Sequence, residues 1–187
     1  MKRHLPFALT TLRLLLGPVA LACAITGLSR WIYLPLLITG TGSDILDGIL
    51  ARRFGVATPA LRRYDSIADV IYYLFILGAL WILCRAIIAH NWLWLALILI
   101  SEAASMLVCF VKFQRYPATH SYLAKFYGLC LLAGLIALLV FNAADWAVIS
   151  LAIVALITNV EIIAIHLVAR KVPVDVKSVF AIPSALK

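Results

Sequence analysis

The chain is built from long apolar runs, each about as long as a bilayer crossing. Six can be marked, near residues 12–28, 32–51, 65–86, 92–111, 122–142 and 146–168. A helix of about 20 residues rises roughly 30 Å, the thickness of a hydrocarbon core. Such runs leave too little polar surface to cover them in water: 65% of residues are hydrophobic, 13% are charged, and mean hydropathy is +1.09. The bilayer must act as solvent for part of the chain. The predicted fold is therefore all-α and integral to a membrane, with six transmembrane helices. A length of 187 residues fits one domain spanning 1–187, with a tail at about 172–187. No internal repeat divides it, and Gly17-Pro18 is a place for a kink in the first helix.

Net charge is +8. A nucleic-acid partner would call for a basic stripe or tail, whereas these cations fall between apolar runs, so no nucleic acid is expected. Their distribution orients the chain instead. Lys2, Arg3, Arg13, Arg52, Arg53, Arg62, Arg63, Lys112, Arg115, Lys125, Arg170, Lys171, Lys177 and Lys187 fall on one side, Arg30 and Arg85 on the other. The excess places both termini and the 52–64 and 112–121 loops in the cytoplasm. Trp31, Trp81, Trp92, Trp94 and Trp146 gather at the opposite interface. Lys2 and Arg3 ahead of an apolar run ending in Ala22-Cys23-Ala24 resemble a secretory signal. Arg13 interrupts that run and a second spanning segment follows, so the first helix is expected to stay. Cys23, Cys84, Cys109 and Cys130 sit singly in apolar runs and read as small fillers.

Against this background the carboxylates stand out. Of eight acidic residues, Asp44, Asp47, Asp65 and Asp69 cluster at the cytoplasmic ends of the second and third runs. Spacings of three and four put each pair on one helical face, and a turn between the helices brings the pairs to one depth. Ionised groups below the interface cost on the order of several kcal/mol each, and four together repel. Something cationic must offset them. Arginine could, but a site made only of carboxylate oxygens suits Mg²⁺ or Mn²⁺, and two ions complement four charges. The alternative of a solvated loop or salt-bridge patch is weakened by the neighbours. Gly48 allows close approach to the helix, and Arg52 lies five residues beyond Asp47, placed to meet phosphate.

The segment Asp44-x-x-Asp47-Gly48-x-x-Ala51-Arg52, eight further residues, then x-x-x-x-Asp65-x-x-x-Asp69 resembles the signature of the CDP-alcohol phosphotransferase (CDP-alcohol phosphatidyltransferase) family. The opening Leu9-Thr10-Thr11-Leu12-Arg13 is similar to the family's usual start of the first helix. This resemblance implies a transferase that moves a phosphatidyl group from a CDP-diacylglycerol-type lipid to a small or lipid alcohol, releasing CMP. It implies two Mg²⁺ or Mn²⁺ ions on Asp44, Asp47, Asp65 and Asp69, with Asp69 also the general base. Gly48 and Arg52 would contact the nucleotide diphosphate, with Thr58 a lesser candidate. It further implies phospholipid biosynthesis, a bacterial-type inner membrane with the site facing the cytoplasm, a homodimer, and glycerol 3-phosphate as the default acceptor. One position departs: where the family has a second glycine, this chain has Leu61, whose side chain would reach toward the nucleotide. A shifted backbone, altered donor use and weakened activity all remain open there.

Acceptor recognition is expected outside the aspartates, on the basic, aromatic stretch from Lys112 to Lys125, with Arg115 and Lys125 the best candidates and lipid contact the reading for the rest. Glu102 and Glu161, inside the fourth and sixth runs, are functional candidates or partners for each other or Arg13. Two other functions compete: a small cation transporter conducting through the aspartates, and a non-catalytic family member marked by Leu61.

Overall fold

The computed structural model describes residues 4–56, 58–114, 121–143, 145–169, 176 and 178–181, leaving aside the side chains of residues 59, 62 and 180. No strand occurs among these residues, and the helices run in the order α1 (Leu5–Ile25), α2 (Tyr33–Arg53), α3 (Pro59–Leu83), α4 (Arg85–His90), α5 (Trp92–Phe113), α6 (Tyr122–Leu139) and α7 (Asp145–Val168). Short 3-10 turns lie at Arg30–Ile32 and Val179–Ala181. Among the described residues six helices are long and apolar enough to cross a membrane, in agreement with the six apolar runs. Large side chains such as Leu15, Leu74, Leu99 and Leu107 are exposed on them. Outward apolar faces of that extent belong against lipid, the pattern of a multi-pass membrane protein.

Helix ends depart from the sequence reading for local reasons. α1 begins at Leu5 rather than near 12, with Pro6 in its first turn, where a missing N–H costs nothing. It continues through Pro18 as one helix. Its end and that of α2 share a device. At Gly27 (φ 67°) and Gly55 (φ 65°) the chain turns left-handed. Leu28 N–H then donates to Cys23 O at 3.1 Å, and Val56 N–H donates to Ala51 O at 3.0 Å. These are Schellman closures, which a residue bearing a Cβ adopts only under strain. α3 starts at Pro59 because Thr58 precedes it as N-cap, its Oγ1 accepting from Leu61 N–H at 3.2 Å. With α2 running to Arg53 and α3 starting at Pro59, the connection is shorter than the expected 52–64 loop. α4 was not foreseen; it follows a break at Cys84, where φ is −126°.

The chain divides into two compact units, Met1–Ala86 with Leu135–Asn142, and Ile87–Gly134 with Ala143–Lys187. In the first, α1 is the shared partner, packing along both α2 and α3. Ala20, Tyr33, Leu37, Ala68, Tyr72 and Ile76 form its interior. Tyr33 Oη donates to Ala20 O at 2.8 Å. Arg30 draws carbonyl ends together, with Nη2 2.5 Å from Leu83 O and Nη1 3.3 and 3.4 Å from Leu138 O and Leu139 O. In the second unit α5 packs on α7. Their shared seam carries Ser101, Ser105 and Cys109 on one helix and Asn159 on the other. Cys23, Cys84 and Cys109 are buried and Cys130 is half-buried, in keeping with small apolar fillers.

Candidate active site

Two helix ends and the middle of a third build this site. Asp44 and Asp47 lie in the last turns of α2, and Asp65 and Asp69 in the first turns of α3. One carboxylate oxygen each from Asp44, Asp47 and Asp65 fall within 4.8 Å of one another. Asp69 is not part of that trio and joins the site through an arginine.

That arginine is Arg13, on α1 between the two carboxylate helices. Its side chain is 1% exposed. Nη1 donates to Asp44, Nη2 donates to Asp65 and lies 3.4 Å from Asp47 Oδ2, and Nε lies 3.0 Å from Asp69 Oδ1. One planar fork therefore faces all four carboxylates, a role that guanidinium geometry permits and an ammonium does not. The signal was present in the sequence, as a lone arginine breaking an apolar run behind two threonines. In sequence alone it marks orientation, with Glu102 and Glu161 as possible partners. The structure instead pairs Arg13 with the aspartates.

Both threonines contribute. Thr10 Oγ1 lies 3.0 Å from Asp47 Oδ2 and 3.1 Å from Pro6 O. Thr11 Oγ1 and Tyr64 Oη share a hydrogen bond of 3.0 Å, and the Tyr64 ring stacks on Phe7 at 4.9 Å. These contacts fasten α1 to α3 next to Asp65. The site has a closed floor and an open rim: the side chain of Asp47 is 5% exposed, those of Asp44, Asp65 and Asp69 46%, 33% and 35%.

The donor set fits a hard divalent cation. It consists of oxygens alone, and a metal–oxygen distance of about 2.1 Å places two ligands of one ion within roughly 4 Å of each other. Charge points the same way, because among the described residues one guanidinium faces four carboxyl groups in a poorly solvating setting.

The remaining sequence candidates fall as follows. A Cβ added to Gly48 would lie 3.8 Å from both terminal nitrogens of Arg52, so the exposed guanidinium rests over the bare glycine. Thr58 is the α3 N-cap, and Leu61, half-buried, is the residue whose N–H it accepts. Lys125 belongs to α6 in the second unit, its Nζ 5.9 Å from the centre of the Tyr122 ring. Arg115 lies outside the described residues.

A search of curated proteins and a search of solved structures each returned no match. A family model described as CDP-alcohol phosphatidyltransferase does match, over residues 3–172. That span takes in α1 with Arg13 and all four aspartates of the cluster. With nearly its whole length matched, the chain belongs to the CDP-alcohol phosphatidyltransferase family.

Proposed function

We propose that this protein transfers a phosphatidyl group from a CDP-diacylglycerol-type lipid to an alcohol, releasing CMP, on the cytoplasmic face of a bacterial-type inner membrane. Family membership carries the coarser chemistry, passage of a phosphatidyl group from a CDP-alcohol to an acceptor. The observation that carries the proposal to named residues is the gathering of Asp44, Asp47, Asp65 and Asp69 around one point in that family's chain.

Asp44, Asp47 and Asp65 would hold Mg²⁺ or Mn²⁺, two ions in all, with Asp69 contributing to the set. Such ions, when bound, supply positive charge against the donor's diphosphate. Asp69 has a second role, since it stands apart from the trio and is part-exposed. Its carboxylate accepts the proton of the acceptor hydroxyl as that oxygen bonds to the phosphorus bearing the lipid. The bond from that phosphorus to the CMP oxygen breaks, and CMP leaves with the electron pair. Gly48 and Arg52 contact the diphosphate, with Thr58 beside them. Arg115 and Lys125 serve the acceptor, for which glycerol 3-phosphate is the first choice. Both termini lie in the cytoplasm, and the working unit is a homodimer.

The test is CMP release from radiolabelled CDP-diacylglycerol by purified protein, with glycerol phosphate, inositol phosphate, serine and lipid alcohols as acceptors. Release is expected with Mg²⁺ or Mn²⁺ and not after chelation. Asp69→Asn should slow turnover by about 10²- to 10⁴-fold, the usual worth of a general base; undiminished turnover would remove that role. Failure with every acceptor, alongside cation flux in proteoliposomes, would replace the enzyme with a transporter.

A further inference from the structure

Arg13 and a divalent ion claim the same carboxylates. The guanidinium contacts Asp44 and Asp65 and lies 3.4 Å from Asp47, and these are the three carboxylates whose oxygens converge within 4.8 Å. Two cations held on the same three carboxylates would lie within about 4 Å of each other and repel. Charge also distinguishes this cluster from a finished structural ion pair: among the described residues a single guanidinium faces four carboxyl groups. An arginine cannot relieve crowding by losing its proton, so it must either stay or yield oxygens.

We propose that Arg13 is an exchangeable internal counter-ion. It gathers the carboxylates while the site holds no metal, and it surrenders their oxygens when a divalent cation binds, so that the two compete. This rests on the reading of the aspartates as metal ligands. Without Arg13, four carboxylates would face one another with no buried cation, which is strongly unfavourable. The protein would then lean on metal for stability, because an ion bound only by the folded state stabilises it by mass action.

Mn²⁺ binding to detergent-purified protein, followed by the electron paramagnetic resonance signal of free Mn²⁺, tests this without any turnover. Arg13→Gln should bind Mn²⁺ at least tenfold more tightly than wild type. Its metal-free thermal midpoint should be lower and its gain on adding Mn²⁺ larger. Arg13→Lys, which keeps the charge but loses the fork, should fall between the two. Binding by Arg13→Gln equal to or weaker than wild type overturns the proposal. If that variant does not survive purification, Arg13→Lys decides, and binding no tighter than wild type overturns it. Should wild type and Asp44→Asn/Asp47→Asn bind Mn²⁺ alike, the metal reading falls and the exchange falls with it; tight wild-type binding that Arg13 variants do not improve sinks the exchange alone.

Discussion

Two polar regions are buried among the apolar helices, and they are built in opposite ways. In the α5–α7 seam most contacts are hydrogen bonds between neutral groups, although Thr158 Oγ1 and Glu161 Oε2 are buried with no partner among the described residues. Asn159 Nδ2 donates to Ser101 Oγ at 3.0 Å, Ser101 Oγ to Ile98 O at 2.8 Å, and Ser105 Oγ to Glu102 O at 2.9 Å. Lys112 Nζ donates to Leu167 O at 2.6 Å. Glu102 and Glu161 have no ion pair among the described residues. The aspartate cluster between α2 and α3 is instead rich in carboxyl groups, with Arg13 its one paired cation among the described residues. Hydrogen bonds that close at home hold helices together. An excess of one charge held in place by the fold points outward, to a ligand that completes it.

This contrast can be broken most forcefully with Asp44→Asn/Asp47→Asn set beside Asn159→Ala. The double variant should lose at least about a hundredfold in CMP release, since even groups that merely support a metal ligand cost 10- to 100-fold. Equal losses from the seam variant would erase the distinction. Gly40→Ala sharpens it by acting on packing near the cluster, one turn before Asp44. Its new Cβ would overlap the Tyr72 hydroxyl, an atom with no hydrogen-bond partner among the described residues. Overpacking of this kind costs about 1–3 kcal/mol, read as a fall in thermal midpoint, and Tyr72→Phe should restore only part of it, because the ring carbon Cζ would still lie 2.7 Å from the new Cβ. Asn159→Ala should have the smallest effect, about 0.6 kcal/mol of stability, the average for interhelical hydrogen bonds in membranes, with turnover unchanged.

Much of the fold was legible because hydropathy over about 20 residues answers directly to bilayer thickness. Six apolar runs became six helices of spanning length among the described residues. Boundaries were harder to read, since they follow short-range chemistry that hydropathy averages away. Thr58 and Pro59 start α3 inside what looked like a loop, and Pro6 starts α1 inside what looked like a leader. At the site, spacing and residue type were enough to single out the aspartates. Arg13 was not placed among them, because linear sequence shows an arginine in an apolar run but not which helix it faces. Only the packing of α1 along both α2 and α3 makes the carboxylates its neighbours. Thr10 was missed for the same reason.

The first unit is not continuous in sequence: Leu135–Asn142 completes it, and Arg30 binds carbonyls on both sides of the gap, at Leu83 and at Leu138 and Leu139. Translation therefore matters to its assembly. At about 5–20 residues per second, the ribosome needs roughly 2 to 10 s to pass from the end of the first segment to the second. Throughout that interval the two helices that carry the aspartates, and α1 with Arg13, are already made, yet Arg30 has only one of its three carbonyl acceptors. The part of the chain synthesised first is thus among the last to be finished, and a nascent chain stalled before residue 135 would carry all four aspartates on an incomplete unit.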